Sequence, residues 1–160
     1  MDEKKLQYLL DRQSIRDTLL RHGAAFDEAD LEALDGIWTE DCRRDDGPGR
    51  GEPFQGRDEL KRRLSGAVAK FEWTHHQLGD SLIEIDGDTA TSTTFVACWH
   101  KTVEGEICWG TARYYDQLVR RGDAWLIASR QMVMTGAEGA LVEHGGAFLQ
   151  RKPSTLADKR

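Results

Sequence analysis

Cysteine and proline are scarce in this sequence of 160 residues, which contains three of each. Cys42, Cys98 and Cys108 are odd in number and form no CxxC pair, which favours free thiols in a reducing compartment over a disulfide framework or a zinc site. No apolar run approaches the roughly 18 residues of a membrane helix, and the acidic start Met1-Asp2-Glu3 does not resemble a secretory signal. We therefore expect a cytoplasmic protein with no membrane partner.

Positive charge is also in short supply. Lys and Arg total 22 against 28 Asp and Glu, so the net charge is −6 and the pI is near 5.4. Because nucleic-acid-binding proteins usually present a basic stripe, we expect no nucleic-acid partner. The basic clusters are short and scattered, and we interpret them as solvated surface: Arg43-Arg44, Lys61-Arg62-Arg63 and Arg120-Arg121.

The usual signatures of metal and cofactor sites are missing as well. The sequence has no HExxH, GxGxxG or Walker loop, no GxSxG elbow, and no paired spacing of metal ligands. We therefore expect neither a metal nor an organic cofactor.

The residues that are present predict helices first. Residues from about 4 to 28 carry an apolar stripe at helical spacing, formed by Leu6, Leu9, Leu10, Ile15, Leu19 and Phe26. His22 falls on that stripe, Asp27 lies toward its edge, and Gly23 leaves open space one turn before Asp27. A second short helix, capped by Asp30, carries Leu31, Leu34, Ile37 and Trp38, and a third carries Leu60, Leu64, Ala67 and Val68.

Beyond residue 72 the period changes to two, which is typical of strands. Four strands are predicted near 72–86, 89–102, 106–120 and 124–136, joined by tight turns, and the turn-rich segment 42–56 forms a loop between two short strands. This order indicates an α+β domain whose antiparallel sheet curls around the N-terminal helices into a cone-shaped barrel with one open mouth. We expect one domain over residues 1–136 and a C-terminal tail over 137–160.

A few polar residues on apolar segments are candidates for function. Asp27 and His76 each need a partner among apolar neighbours, and a carboxylate beside an imidazole makes a base that works near neutral pH. His100 lies on the same face of its predicted strand as Val96 and Cys98. Arg130 shares parity with Leu126, Met132 and Met134, so it needs either an anionic substrate group or a buried carboxylate. Tyr114 and Tyr115 face opposite ways, and one of them faces the pocket.

Several short segments resemble those of one known superfamily in their order and spacing. The first helix ends in Ala24-Ala25-Phe26-Asp27, and Thr74-His75-His76 precedes Ile85-Asp86-Gly87-Asp88-Thr89-Ala90. The other segments are Ile37-Trp38-Thr39-Glu40-Asp41, Gly56-Arg57, Gly110, Tyr114-Tyr115-Asp116 and Trp125-Leu126-Ile127-Ala128-Ser129-Arg130. Over about residues 5–136 the chain resembles the SnoaL-like (polyketide-cyclase-like) branch of the nuclear-transport-factor-2-like, or cystatin-like, superfamily.

The resemblance implies a catalytic pair. In lyases of this branch an Asp at the end of the first helix pairs with a His at the start of the first long strand, positions that match Asp27 and His76. His76 is preferred over His75 because it precedes Gly87 by eleven residues, as in the family pattern. A second catalytic histidine, known from scytalone dehydratase, falls near His100.

The same resemblance indicates which residues contact a substrate. His22 stands where hexachlorocyclohexane dehydrochlorinase has a Lys, and Phe26 stands where scytalone dehydratase has a Tyr. These two, with Tyr114 and Arg130, are the substrate-binding candidates. The implied activity is a cofactor-independent, dehydratase-type lyase acting on a small hydrophobic, aromatic or polycyclic hydroxylated compound, in a homotrimer by preference and a dimer next.

Other activities remain open at this stage. An isomerase, or a lyase that cleaves a carbon–carbon bond with loss of formaldehyde, needs the same base. A non-catalytic binding module similar to the β subunit of ring-hydroxylating dioxygenases needs neither Asp27 nor His76.

Overall fold

The computed structural model describes residues 2–139 and Leu141, and it has the expected α+β class. Its helices are α1 (Glu3–Asp27), a 3₁₀ helix (Glu32–Gly36) and α2 (Arg57–Val68). Its strands are β1 (Trp38–Asp45), β2 (Phe54–Gln55), β3 (Phe71–Asp86), β4 (Thr89–Thr102), β5 (Ile107–Arg121) and β6 (Ala124–Glu138). No helix among these residues is both long and apolar enough to cross a membrane.

The six strands form one curved sheet in the order β2-β1-β6-β5-β4-β3, with α1 packed against it. Strands β3 to β6 make the predicted antiparallel meander, and β1 adds to β6 in parallel. The sheet stays open, since β2 and β3 are its two edges. Strand β6 ends two residues beyond the predicted end of the domain, and the division into domain and tail stays a prediction; most of residues 137–160 lies outside the described part.

Strand β1 starts earlier than the sequence suggested. Trp38, predicted to lie on the second helix, is the first residue of β1 and is fully buried. A register shift between Trp38 and Arg43 breaks the alternation along this strand, so its period of two is hard to detect. Past the shift, Cys42 and Arg44 are buried while Arg43 is exposed.

Helix α1 buries less of its apolar stripe than predicted. Leu6, Leu9 and Leu10 are 42%, 47% and 55% exposed, and the buried side of the helix begins at Asp11. Leu6, Leu9 and Leu10 therefore lie on the apolar stripe but outside the core. The core is built instead from residues later on α1 and on other elements: Ile15, Leu19, Leu34, Trp38, Leu60, Leu118, Trp125 and Ile127.

A buried carboxylate fastens α1 to the far end of the sheet. The two Nη atoms of Arg120 donate to the carboxylate of Asp11 at 2.6 and 2.7 Å, and Nε1 of Trp125 donates at 3.2 Å. The bonds from Arg120 lower the pKa of Asp11 to about 2, against the opposing effect of burial. The ionised form of Asp11 therefore stabilises the fold.

This arrangement predicts acid sensitivity. Because the folded pKa of Asp11 lies below its unfolded value, its contribution is complete above about pH 4 and is lost as the pH falls towards 2. The loss should amount to about 2 kcal/mol of unfolding free energy. Urea titrations at about pH 5 and about pH 2.5 measure it, and Asp11→Asn should reduce the difference between the two pH values. An unchanged difference in Asp11→Asn would contradict this assignment.

Two bulges determine which side chains face inward. The register of β3 shifts between Leu78 and Ser81, on either side of Gly79. The register of β6 against β5 shifts so that Leu118 pairs with Ile127 while Gln117 pairs with Ser129. Arg130 therefore shares the inner face with Ile127, and the predicted shared parity with Leu126 is wrong.

Candidate active site

A cavity of about 460 Å³ lies between the curved sheet and the helices, and we call it the central cavity. It combines apolar walls with a few polar groups, the usual character of a small-molecule site. Its apolar lining consists of Gly23, Phe26, Phe54, Leu64, Ala67, Phe71, Val96, Ala112, Tyr114, Met132, Met134 and Leu141. Its histidines are His22, His76 and His100. With Phe26 and Tyr114, five of the side chains that the sequence predicts for the site therefore line one cavity.

The end of α1 meets the start of β3 at Asp27 and His76. Oδ1 of Asp27 lies 2.6 Å from Nδ1 of His76, and Oδ2 accepts the backbone N–H of His76 at 2.7 Å. The hydroxyl of Thr74 donates to Oδ1 at 2.8 Å. Gly23 allows this approach, since a Cβ there would lie 3.1 Å from Cδ1 of Leu78; the space beside Gly23 is therefore filled by β3, and the expectation of open space is wrong.

These contacts indicate that Asp27 is ionised and which ring nitrogen of His76 carries the proton. Burial acts to raise the pKa of Asp27, but the hydrogen bonds from the ring and backbone of His76 and from Thr74 outweigh it and lower the pKa. An ionised carboxylate only accepts hydrogen bonds, so Nδ1 of His76 carries the proton. Nε2 is left as the basic nitrogen of a ring whose orientation is fixed.

His100 lies beside this pair on β4, the strand next to β3, where it is the partner of Thr74. Its ring centroid is 5.2 Å from that of His76 and 4.5 Å from that of Phe71. Both ring nitrogens are buried and find no hydrogen-bond partner among the described residues. Burial first, and the nearby His76 second, lower the pKa of His100 to about 4. Near neutral pH this ring is therefore uncharged, with one N–H to donate and one nitrogen to accept.

His22 and Phe26 lie on α1, before Asp27 in the sequence. Nδ1 of His22 accepts the indole N–H of Trp38 at 3.2 Å. Burial, reinforced by the charges of Arg130 and Arg44, holds the pKa of His22 well below its usual range, so the neutral ring carries its proton on Nε2. Phe26 meets His76 edge-on with centroids 5.0 Å apart and gives that side of the imidazole an apolar neighbour.

The two remaining substrate-binding candidates differ in their surroundings. Tyr114 lines the central cavity, and burial raises the pKa of its phenol. Arg130 does not belong to the lining of this cavity. Its Nε and Nη2 donate to Asp116 at 2.7 and 3.0 Å, and neither side chain is exposed. Of the two partners that the sequence left open for Arg130, the structure supplies the buried carboxylate.

The sequence did not identify the basic residues of the cavity, which are Arg44, Arg50, Arg63 and Lys70. Arg44 is only 8% exposed, so its interpretation as solvated surface is wrong. Arg120, which was also interpreted as solvated surface, forms an ion pair with the buried Asp11. One pattern in the sequence could have indicated the burial of Arg44. It lies two residues after Cys42, so both side chains face the same way if the segment is a strand.

One cluster resembles a metal site in its donor atoms. A ring nitrogen each of His76 and His100 and Sγ of Cys98 lie within 4.8 Å of one another. Burial raises the pKa of Cys98 to about 11, and its thiol donates to the carbonyl of Gly110 at 3.4 Å. A cysteine binds a metal through its deprotonated thiolate, so the raised pKa of Cys98 disfavours that role. The expectation of no metal stays a prediction.

Comparisons with known proteins find chains that are similar in sequence and in fold. The protein Rv2910c of Mycobacterium tuberculosis is 30% identical over 125 residues, which cover 75% of this chain and 82% of that protein. A crystal structure of hexachlorocyclohexane dehydrochlorinase LinA of type 2 superposes with a TM-score of 0.78 at 19% identity, over 92% of this chain and 97% of that one.

A scytalone dehydratase-like protein from Novosphingobium aromaticivorans gives a TM-score of 0.76 at 22% identity, over 82% of this chain and 88% of that one. At such identities the two structural matches show the fold. The sequence itself matches the SnoaL-like domain over residues 7–131, which is most of the chain. The protein therefore belongs to the SnoaL-like domain family.

Proposed function

We propose that this protein is a cofactor-independent lyase that removes water from a small hydrophobic, aromatic or polycyclic hydroxylated compound. The observation that carries the proposal is the contact of 2.6 Å between Asp27 and His76 at the wall of the central cavity. Two structural neighbours, a dehydratase-like protein and a dehydrochlorinase, support an elimination reaction.

In this mechanism Asp27 acts through His76. The carboxylate holds the proton on Nδ1, so Nε2 accepts a proton from an acidic C–H of the substrate or from a phenol conjugated to the reacting carbon. The same carboxylate then stabilises the imidazolium that forms. General base catalysis of this kind contributes about 10²–10⁴-fold to the rate.

The hydroxyl group leaves as water and needs a proton. The newly formed imidazolium of His76 supplies it, which returns the base to its starting form. His100 and Tyr114 are the candidates to donate a hydrogen bond to the departing oxygen, and all three side chains line the same cavity. The apolar walls position the substrate and exclude water, which strengthens the electrostatic contribution of Asp27.

Product analysis tests the proposed reaction. The protein is incubated with a panel of hydroxylated aromatic and polycyclic compounds, and mass spectrometry should find a product lighter by one water. That product should be absent with His76→Ala. A product of unchanged mass would indicate an isomerase, released formaldehyde would indicate carbon–carbon cleavage, and turnover of no compound would favour a binding module.

The isomerase is the second candidate because two histidines flank one cavity. The rings of His76 and His100 lie 5.2 Å apart, so the imidazolium formed at His76 would return its proton to a second carbon while the neutral His100 donates a hydrogen bond to the substrate. Exchange of solvent deuterium into an unconsumed substrate separates proton return from elimination.

His100 should show a trade between stability and activity. Its unpartnered ring nitrogens cost folding free energy, and Phe71 offers an apolar neighbour for a replacement ring. His100→Phe should lower kcat by about tenfold or more while the unfolding free energy stays equal or rises by about 1 kcal/mol. Steady-state kinetics and urea denaturation measure the two effects. Unchanged kcat would remove His100 from the mechanism.

We also propose a homotrimer, with a dimer as the next choice. The sheet's outer face exposes large apolar side chains, namely Trp73, Leu82, Phe95, Ile107 and Trp109, each more than 40% exposed. Light scattering after size-exclusion chromatography should give about three times the chain mass of 18.1 kDa, and the paired change Trp73→Glu and Trp109→Glu should lower it. A stable monomer at micromolar concentration would contradict the trimer.

A further inference from the structure

The central cavity is basic although the chain is acidic. Arg44 from β1, Arg50 from the loop after it, and Arg63 and Lys70 from the α2 region line it, against one carboxylate, Asp46, outside the catalytic pair. The protein as a whole carries a net charge of −6. Removal of water from a neutral compound gives these cations no role.

Arg63 has partners elsewhere. Its Nε donates to Glu59 at 2.8 Å, its Nη1 donates to the carbonyl of Glu52, and its guanidinium covers the ring of Phe54 at 4.2 Å. Lys70 is an exposed side chain. The cations that remain for a ligand are therefore Arg44 and Arg50.

Arg44 and Arg50 hold unused donors in buried positions. Nε of Arg44 binds Asp46 at 2.6 Å, and the side chain is 9% exposed, yet its buried Nη1 has no hydrogen-bond partner among the described residues. Nε and Nη2 of Arg50 are buried and lack such a partner too. Buried guanidinium donors without acceptors are costly, and at a cavity wall a bound ligand can supply the acceptors.

The loop that carries Arg50 packs closely on the sheet near its start, at Gly47. Gly47 has φ of 86°, and a Cβ there would come within 2.9 Å of the carbonyl oxygen of Met132 on β6. The backbone N–H of Gly47 donates to Oδ1 of Asp45 at 2.8 Å. The loop therefore lies tightly against the sheet beside the cavity, and only glycine fits both this conformation and this close approach.

The two arginines line the same cavity of about 460 Å³ as His76 and His100. One ligand that fills this cavity can therefore contact the arginines and the histidines together.

We propose that the ligand of the central cavity carries a carboxylate, bound by Arg44 and Arg50, with its hydrophobic body against the apolar walls. A guanidinium presents its donors in a planar fork that matches a carboxylate. This inference deepens the proposed function and rests on it for the reaction at the other end of the molecule. The substrate class then becomes aromatic or polycyclic hydroxy acids.

Calorimetric titration with a matched pair of probes tests the proposal. Naphthalene-2-carboxylate should bind at least about tenfold more tightly than naphthalene-2-carboxamide, since hydrogen bonds to charged groups are the stronger ones. Arg50→Gln, and separately Arg44→Gln, should remove most of this preference. Arg43→Gln is the control, because Arg43 is the exposed neighbour on the same strand, and it should keep the preference.

The outcomes separate this inference from the proposed reaction. His76→Ala should lose turnover but keep the preference for the carboxylate probe, so failure of the lyase leaves the binding result standing. Equal affinities for the two probes, no binding of either, or a preference that survives in both arginine variants would overturn the inference. Tighter binding of 2-naphthyl phosphate would overturn the choice of a carboxylate.

Discussion

Replacing His76 with alanine should remove most of kcat, by about 10²–10⁴-fold once a substrate is identified. Nε2 of His76 is the basic nitrogen of a ring held by Asp27 at 2.6 Å, and alanine leaves no base in its place. Asp27→Asn should cost nearly as much, since an amide no longer stabilises the imidazolium and can turn the ring to the other tautomer. Steady-state kinetics on folded variants measure both losses.

The double variant makes this prediction specific. If Asp27 acts only through His76, then Asp27→Asn combined with His76→Ala should be hardly slower than His76→Ala alone, because residues that work as one unit are non-additive. His75→Ala is the matched control, since His75 is the exposed neighbour on β3 and should keep its activity. Losses that multiply would show that the two side chains act independently.

Replacing Asp116 with asparagine should destabilise the protein by about 3–5 kcal/mol. Asp116 and Arg130 have side chains with no exposed surface and are joined by two hydrogen bonds. Removing the carboxylate leaves the guanidinium of Arg130 charged and buried without this counterion, although it still covers the ring of Tyr114 at 4.0 Å. Urea denaturation measures the change in unfolding free energy.

An exposed ion pair provides the control for this effect. Asp80 pairs with Arg16 at 3.3 Å, but its side chain is 90% exposed. Asp80→Asn should therefore change the unfolding free energy by less than about 1 kcal/mol. A similarly small effect of Asp116→Asn would show that the buried pair is dispensable.

Much of the fold could be predicted because the local signals are strong. The turns around Gly87 and Gly122 adopt positive φ and separate long strands with clear alternation, so β3 to β6 were located to within two residues. Strand β1 was missed at Trp38 because a register shift disrupts its alternation. The exposed start of α1 could not be predicted, since a helical stripe does not reveal how far the sheet extends beneath it.

The candidate site was predictable where parity held. His100 follows Val96 and Cys98 in an unbroken alternation on β4, and it lines the cavity as parity suggested. Arg130 was grouped with Leu126 because a bulge on β6 gives no signal in the sequence. Arg44 was interpreted as solvated because short basic segments usually are, and Arg50 lies in a turn-rich loop that gives no sign of burial. The burial of their donor atoms depends on contacts with distant parts of the chain.

The most direct test is a crystal structure of the protein with the reaction product bound. The proposed mechanism predicts the product in the central cavity, with the carbon or oxygen that lost its proton within about 3–3.5 Å of Nε2 of His76, and Asp27 on Nδ1 of the same ring. A product bound outside this cavity, or one whose reacting atoms lie away from His76, would contradict the assignment of His76 as the base.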